Sequence, residues 1–400
     1  MLEDNLLINE IKNKVLCDKR ISNLNDQELK FYVNKLLIKD YWPSRKFNLN
    51  EIIALSKQVF YRIRGLGILE NLLVDENISE IMVNDINHIF IEKMGKLYKS
   101  DFIIESLDEY NRIIQKIVSK AGREVNQSKP IVDARLEDGS RVNIVLPPIS
   151  KGQPVLTIRK FPKKHIDMNF LIKTQTLNMR AANFISSLVK SKYNILISGG
   201  TSSGKTTFLN ALTEYIDDCE RIITIEDSRE LQIINKENLI SLETRNSNNS
   251  NKGQVDIRSL IKNALRMRPD RIIVGEVRSS EAIDMLTALN TGHEGGLTTA
   301  HANSCEDMIS RLETMVLRSD SNIPLEAAQR MIGSSIEIIM QLSKVEGAKR
   351  RLIEISELNY IDGKIAINRL YTYDVGKDSL IEVGNGLIKH EKLKNFTKKL

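Results

Sequence analysis

A chain of 400 residues is long enough for two or three domains, each with its own core. With 41% hydrophobic and 28% charged residues it reads as soluble and globular, and no run approaches the roughly 18 to 20 apolar residues that a membrane span needs. A net charge of +6 is too mild for a dedicated nucleic-acid binder, so no direct nucleic-acid contact is expected. The first residues are acidic and polar instead of basic and then greasy, which predicts a cytoplasmic protein. Residues 1–64 form a helical extension: Leu29, Tyr32, Val33, Leu36 and Leu37, then Ile52, Ile53, Leu55, Val59 and Phe60, recur at helical spacing. Pro43 breaks it near "YWPS" and Gly65 ends it. Residues 65–162 read as a small mixed α/β domain, with strands in "ISEIMVN", "HIFIEKMGKL", "RVNIVLPP" and "VLTIRKF". A polar linker, 163–172, leads to a third region, 173–375, in which apolar strands alternate with amphipathic helices. Strands are expected at 194–198, 221–226, 239–242, 271–274 and 296–300, and the alternation implies a mainly parallel sheet with helices on both faces. The Asn- and Ser-rich stretch 245–253 is expected to be a mobile loop. The last stretch, 376–400, reads as a basic tail; its end, Lys389 to Leu400, is expected to be solvated and frayed, with contact with an acidic partner or a membrane surface as the alternative. Cys17, Cys219 and Cys305 lie far apart without CxxC spacing, which predicts reduced, semi-buried thiols and neither a zinc site nor a disulfide framework.

The most informative junction is "GGTSSGKTTF", placed between the apolar run "YNILIS" and the helical "LNALTEYI". It satisfies G-x-x-x-x-G-K-[ST] in the strand-to-helix context that gives the motif meaning. Glycines let the backbone turn tightly and aim amide N–H groups inward, and the following helix adds its positive end. The cradle for the phosphates of ATP is therefore assigned to Gly199, Gly200, Thr201, Ser202, Ser203, Gly204, Lys205, Thr206 and Thr207, with Lys205 reaching the β and γ phosphates. The Thr206 hydroxyl can ligate Mg²⁺.

Hydrolysis also needs acids, and these are expected at strand ends. "RIITIEDSREL" places Glu226 and Asp227 there, and "DRIIVGEVR" places Glu276. The usual second nucleotide motif ends its strand in Asp and then Glu; here Gly275 stands in place of the Asp, so Glu226 or Asp227 must supply the metal ligand. In "TGHEGGLTTAHANS", His293 and His301 flank a short strand, and a histidine at such an end can contact the γ phosphate.

"GGTSSGKTT", "IEDSREL", "LRMRPDRIIVGEVR" and "NTGHEGGLTTAHANS" follow the order of Walker A, Asp box, Walker B and His box in the ATPases of type II secretion, type IV pili and type IV secretion. The chain resembles this family from about residue 65 to 345, and most of all its CpaF-type branch, which drives tight-adherence (Flp) pili. The resemblance implies a RecA-like P-loop domain preceded by a PAS-like α/β domain, assembled as a homo-hexamer that acts with an inner-membrane platform protein, peripheral at the inner face of the membrane. It also implies that Arg141 and Arg159 reach the phosphates from the N-terminal domain, that Glu276 orients water, that Glu226 and Asp227 belong to the Mg²⁺ shell and that His301 senses phosphate. "VRSSEA" departs from the family's Arg-Gly-Glu-Ala. The favoured reading is a pilus or type II-like motor; the alternative is a conjugation-type secretion ATPase moving DNA or protein. A nucleoside kinase and a non-hydrolysing scaffold fit less well, because the chain carries a His box, a preceding domain and intact Lys205, Thr206 and Glu276.

Overall fold

The computed structural model describes residues 2–41, 48–161, 166–245, 253–319, 322–345, 349–384 and 386–397. Pro43, most of the expected mobile loop and the start of the expected linker lie outside the described residues. The chain divides into two compact units, residues 1–163 and 164–400.

The first unit begins with helices α1 (Leu2–Leu16), α2 (Asp26–Leu36) and α3 (Leu49–Ile63). Two of them start with reciprocal caps: Asn25 with Glu28, and Asn48 with Glu51, each side chain satisfying the other's backbone N–H. Ile11, Val15, Leu29, Val33, Leu37, Ile52 and Val59 meet in a core of their own. After the short α4 (Leu69–Val74) come β1 (Ile78–Asp85), β2 (His88–Lys93), β3 (Lys96–Lys99), α5 (Leu107–Lys120), β4 (Ile131–Arg135), β5 (Arg141–Val145) and β6 (Val155–Arg159). All pairings are antiparallel, in the order β3-β2-β1-β6-β5-β4. Alternation buries Ile81, Val83, Ile89, Val142, Ile144, Leu156 and Ile158 with Tyr110, Ile113, Ile114 and Ile117 of α5.

The second unit holds α6 (Met168–Lys173), α7 (Met179–Lys190), β7 (Ile195–Gly199), α8 (Lys205–Thr213), β8 (Ile222–Glu226), β9 (Leu239–Glu243), α9 (Ile257–Ala264), β10 (Arg271–Val277), α10 (Glu281–Asn290), β11 (Leu297–Ala300), α11 (Cys305–Ser319), α12 (Leu325–Ser335), β12 (Ile338–Lys344), β13 (Arg350–Ile361), β14 (Lys364–Asp374), β15 (Ser379–Glu382) and α13 (Glu391–Thr397). Its nine strands run β15-β14-β13-β12-β7-β11-β10-β8-β9. From β12 to β9 every pairing is parallel, and the C-terminal ends of β7, β10 and β11 gather at one edge. Buried on both faces, these strands read as continuous apolar runs. One face packs against α7 and α8, the other against α9 to α12.

Two expectations need correction. The sheet holds strands beyond those expected from sequence: β12, parallel to β7, and then β13 to β15, each antiparallel to its neighbour. Over its described residues the basic end is not frayed: Glu391–Thr397 is a helix, and Glu357, fully buried, accepts the backbone N–H groups of Ile388 and Lys389 at 2.8 and 2.7 Å. Lys392 then donates to Glu337 at 2.8 Å, so much of the tail's charge is engaged internally. Of the cysteines, Cys17 and Cys219 are exposed and Cys305 is fully buried. No helix among the described residues is long and apolar enough to cross a membrane.

Candidate nucleotide site

The cradle forms where β7 stops. Ser202 takes a left-handed φ of 57°, and Gly204 follows at φ 96° as the cap of α8. A non-glycine residue in that conformation costs on the order of 1 kcal/mol, a strain that collects at functional loops. At Gly204 a side chain would be strained by the positive φ and would press on the Arg350 stem, whose Cδ would lie 3.2 Å from a Cβ. Arg350, which the sequence reading did not single out, also donates through Nε to the Ser202 carbonyl at 3.2 Å.

Lys205 is only 7% exposed and folds back onto its own loop, donating to the carbonyls of Gly199 and Gly200 at 3.0 and 2.9 Å. Its Nζ also lies 3.1 Å from His301 Nδ1. An ammonium can only donate, so Nδ1 accepts and the imidazole proton sits on Nε2. That nitrogen is 3.0 Å from Glu276 Oε1, although off the hydrogen-bond axis, so Oε1 keeps no hydrogen-bond donor among the described residues. Glu276 Oε2 accepts from Arg278 Nη2 at 2.7 Å, and Arg278 Nη1 is 3.5 Å from Asp227 Oδ2. Lysine, histidine, two carboxylates and an arginine from four strand ends thus form one contiguous path. Sequence spacing offered no signal for Arg278, because only the fold brings it between Glu276 and Asp227.

The charges follow from this packing. Burial pushes Lys205 down to about 8, against the pull of Glu276 and Glu230. Burial and the Lys205 charge hold His301 below its ordinary value, which keeps the ring neutral. Burial alone would raise Glu276, but the Arg278 hydrogen bond and charge, with His301 and Lys205, hold it below the usual carboxylate range.

Glu226 has another task. It is 4% exposed, and Oε1 accepts the backbone N–H groups of Glu230 and Leu231 at 2.8 and 3.0 Å, closing the turn after β8. Burial raises its pKa, against those same bonds. The turn aims Glu230, which the sequence reading passed over, at the site: its Oε2 accepts from the Thr206 hydroxyl at 3.3 Å. The missing Asp at position 275 gains a steric reason here, since a Cβ on Gly275 would sit 2.8 Å from Glu226 Cγ.

Among the described residues no cluster of three or more His, Cys, Asp or Glu forms a metal cage. The Thr206 hydroxyl and the Glu230 carboxylate meet beside the phosphate loop, oxygen donors of the kind Mg²⁺ takes together with phosphate oxygens and water. His293 precedes β11 whereas His301 follows it, so the strand's length separates the two rings, and His293 stays out of the site.

In the first unit, Arg141 and Arg159 are direct cross-strand partners, and Arg135 pairs with Arg141 on the other side. The register thus gathers three guanidinium-bearing side chains along one row of the sheet. Arg159 has a loose contact, 3.8 Å, with Glu80.

Residues 63–369 match the family described as type II/IV secretion system protein. A putative conjugal transfer protein of Mycobacterium tuberculosis is 30% identical over 82% of this chain and 94% of its own length. The conjugal transfer protein TrbB of Rhizobium radiobacter is 34% identical over 71% of this chain and 84% of its own. The solved structure of the Legionella pneumophila ATPase DotB, 22% identical, covers 74% of this chain and 80% of its own with a TM-score of 0.51, a likeness of fold. A match that spans residues 63–369, with the P-loop, the Glu276 strand end and His301 all inside it, makes this chain a member of the type II/IV secretion system ATPase family.

Proposed function

We propose that the protein is a Mg²⁺-dependent ATPase that works as a homo-hexameric motor on a membrane-embedded secretion or conjugation machine. The observation that carries this reading is the contiguous path from Lys205 through His301 to Glu276 beside the phosphate loop. Lys205 exchanges the carbonyls of Gly199 and Gly200 for phosphate oxygens when a triphosphate enters. That exchange frees His301 Nδ1, so the histidine registers whether the γ phosphate is present. Glu276, held ionised by Arg278, orients water through its open oxygen Oε1. Bound Mg²⁺ would neutralise charge that develops on the phosphates. Thr206, Glu230 and Asp227 would hold it, with Glu226 acting through the turn that positions Glu230. Arg141 and Arg159, as the family resemblance implies, supply guanidinium groups to the phosphates.

The names of the relatives favour a type IV secretion or conjugation role: the two conjugal transfer proteins, and PtlH of Bordetella pertussis, a type IV secretion system protein 30% identical over 70% of this chain. The tight-adherence pilus reading rests on the local stretches quoted above and stands second. On either reading the ring docks on an inner-membrane partner at the cytoplasmic face. Phosphate release by the purified protein with ATP and Mg²⁺, followed as it is concentrated, tests the motor reading: turnover per chain rises as the solution mass reaches six copies. A hexamer without turnover contradicts it. Neighbouring genes, for conjugation channels or for pilins, separate the two branches.

A further inference from the structure

Gly200, Thr201 and Ser203 on the flank of the phosphate loop share a polar pocket of about 200 Å³ with Asn303, from the loop after β11, and with Gln341 and Lys344 of β12. Glu276 lies in the opposite direction along the sheet, on β10 beyond β11. Two of the lining side chains are almost fully buried yet unsatisfied. Ser203 is 2% exposed and Gln341 is 1% exposed, and neither Ser203 Oγ nor Gln341 Oε1 has a hydrogen-bond partner among the described residues. The amide orientation of Gln341 is fixed, because its Nε2 donates to the Ala302 carbonyl at 3.1 Å. Oε1 is therefore the end that waits for a donor. Orphaned buried polar atoms cost enough that a ligand or water is expected on them.

The pocket combines a buried acceptor, Gln341 Oε1, with donors: the Ser203 hydroxyl, the Asn303 amide and the exposed Lys344, for which no ion pair is recorded among the described residues. An anion alone would be repelled by Oε1. Hydrogen phosphate is not, since one of its oxygens carries a proton at neutral pH. That species forms when water adds to the γ phosphorus, one of its two protons passing by way of Glu276 to solvent, and the bond to the bridging oxygen breaks, the electron pair leaving with ADP. We propose that this pocket receives the phosphate released by hydrolysis, as a station between the catalytic seat and solvent. This rests on the ATPase reading above. The loop after β11 joins the two places, with His301 in the catalytic path and Asn303, two residues on, in the pocket.

The test is equilibrium binding of radiolabelled inorganic phosphate to the full chain saturated with ADP and Mg²⁺, so that the P-loop seat is filled. The parent should bind phosphate without displacing ADP. Gln341→Leu, which removes the buried acceptor, and Lys344→Gln, an exposed change that leaves folding alone, should each weaken it about tenfold or more while ADP affinity is kept. Parental phosphate affinity in both variants, or competition between phosphate and ADP, overturns the proposal. ATP hydrolysis measured on the same parent protein stands or falls separately: turnover with unchanged phosphate binding in the variants sinks the pocket alone, and phosphate binding without turnover sinks the ATPase reading alone.

Discussion

Raising the pH from 7 to 9.5 should weaken ATP binding well before an ordinary lysine would respond. In the nucleotide-free protein burial lowers Lys205 from 10.5 to about 8. At pH 7 about nine in ten molecules then carry the charge, and at pH 9 about one in ten. A triphosphate needs that charge and raises the lysine's pKa on binding, so the apparent Kd rises about tenfold for each pH unit above about 8, equivalent to ~1.4 kcal/mol per unit. The sign for stability is opposite. The folded pKa lies below the unfolded one, so between about 8 and 10.5 the unfolded chain holds more protons and the nucleotide-free fold gains stability as pH rises. The assay is equilibrium binding of a fluorescent ATP analogue with Mg²⁺ from pH 7 to 9.5, where the charge of the triphosphate no longer changes. Lys205→Arg, whose guanidinium stays charged, should bind more weakly with a flat profile. A parental profile as flat as that of Lys205→Arg would refute the argument that the buried lysine sets affinity.

Gly275→Ala should push Glu226 off its turn and destabilise the second unit by ~1 to 3 kcal/mol, read as a lower melting temperature; an unchanged melting curve would mean that position 275 tolerates a side chain. Glu230→Gln should raise the Mg²⁺ concentration for half-maximal hydrolysis by about tenfold, with little change at saturating metal; the same Mg²⁺ dependence as the parent would remove Glu230 from the metal shell. Arg159→Ala should lower kcat by about 100-fold or more with KM nearly unchanged, because a guanidinium that serves the transition state is lost; kcat within twofold of the parent would argue that the arginine row has another purpose.

What the sequence made legible is what depends on local pattern. The strand before Gly199, the helix after Gly204 and the strand ends bearing Glu226, Glu276 and His301 follow from runs of apolar residues broken by glycine and acid, and the structure sets them at one sheet edge. The rest depends on contacts between segments distant in sequence. Glu226 and Glu230 are both acids near a strand end, and only the turn geometry sends one inward to backbone N–H groups and the other to Thr206. Arg350 reaches the phosphate loop from 148 residues away, so no spacing rule could find it. The tail misled for a similar reason. Its lysines suggested solvent, but Glu337 and Glu357, buried in the fold, await Lys392 and the backbone of Ile388 and Lys389.

The most direct measurement is single-turnover ATP hydrolysis by the parent, Lys205→Ala and Glu276→Gln under identical Mg²⁺ and protein concentrations, with bound nucleotide quantified alongside. The parent should turn over, Lys205→Ala should fail to retain ATP, and Glu276→Gln should retain intact ATP while cleaving it at least about 100-fold more slowly. Cleavage by Glu276→Gln at the parental rate would contradict the assignment of water to that carboxylate, and with it the account of how this site works.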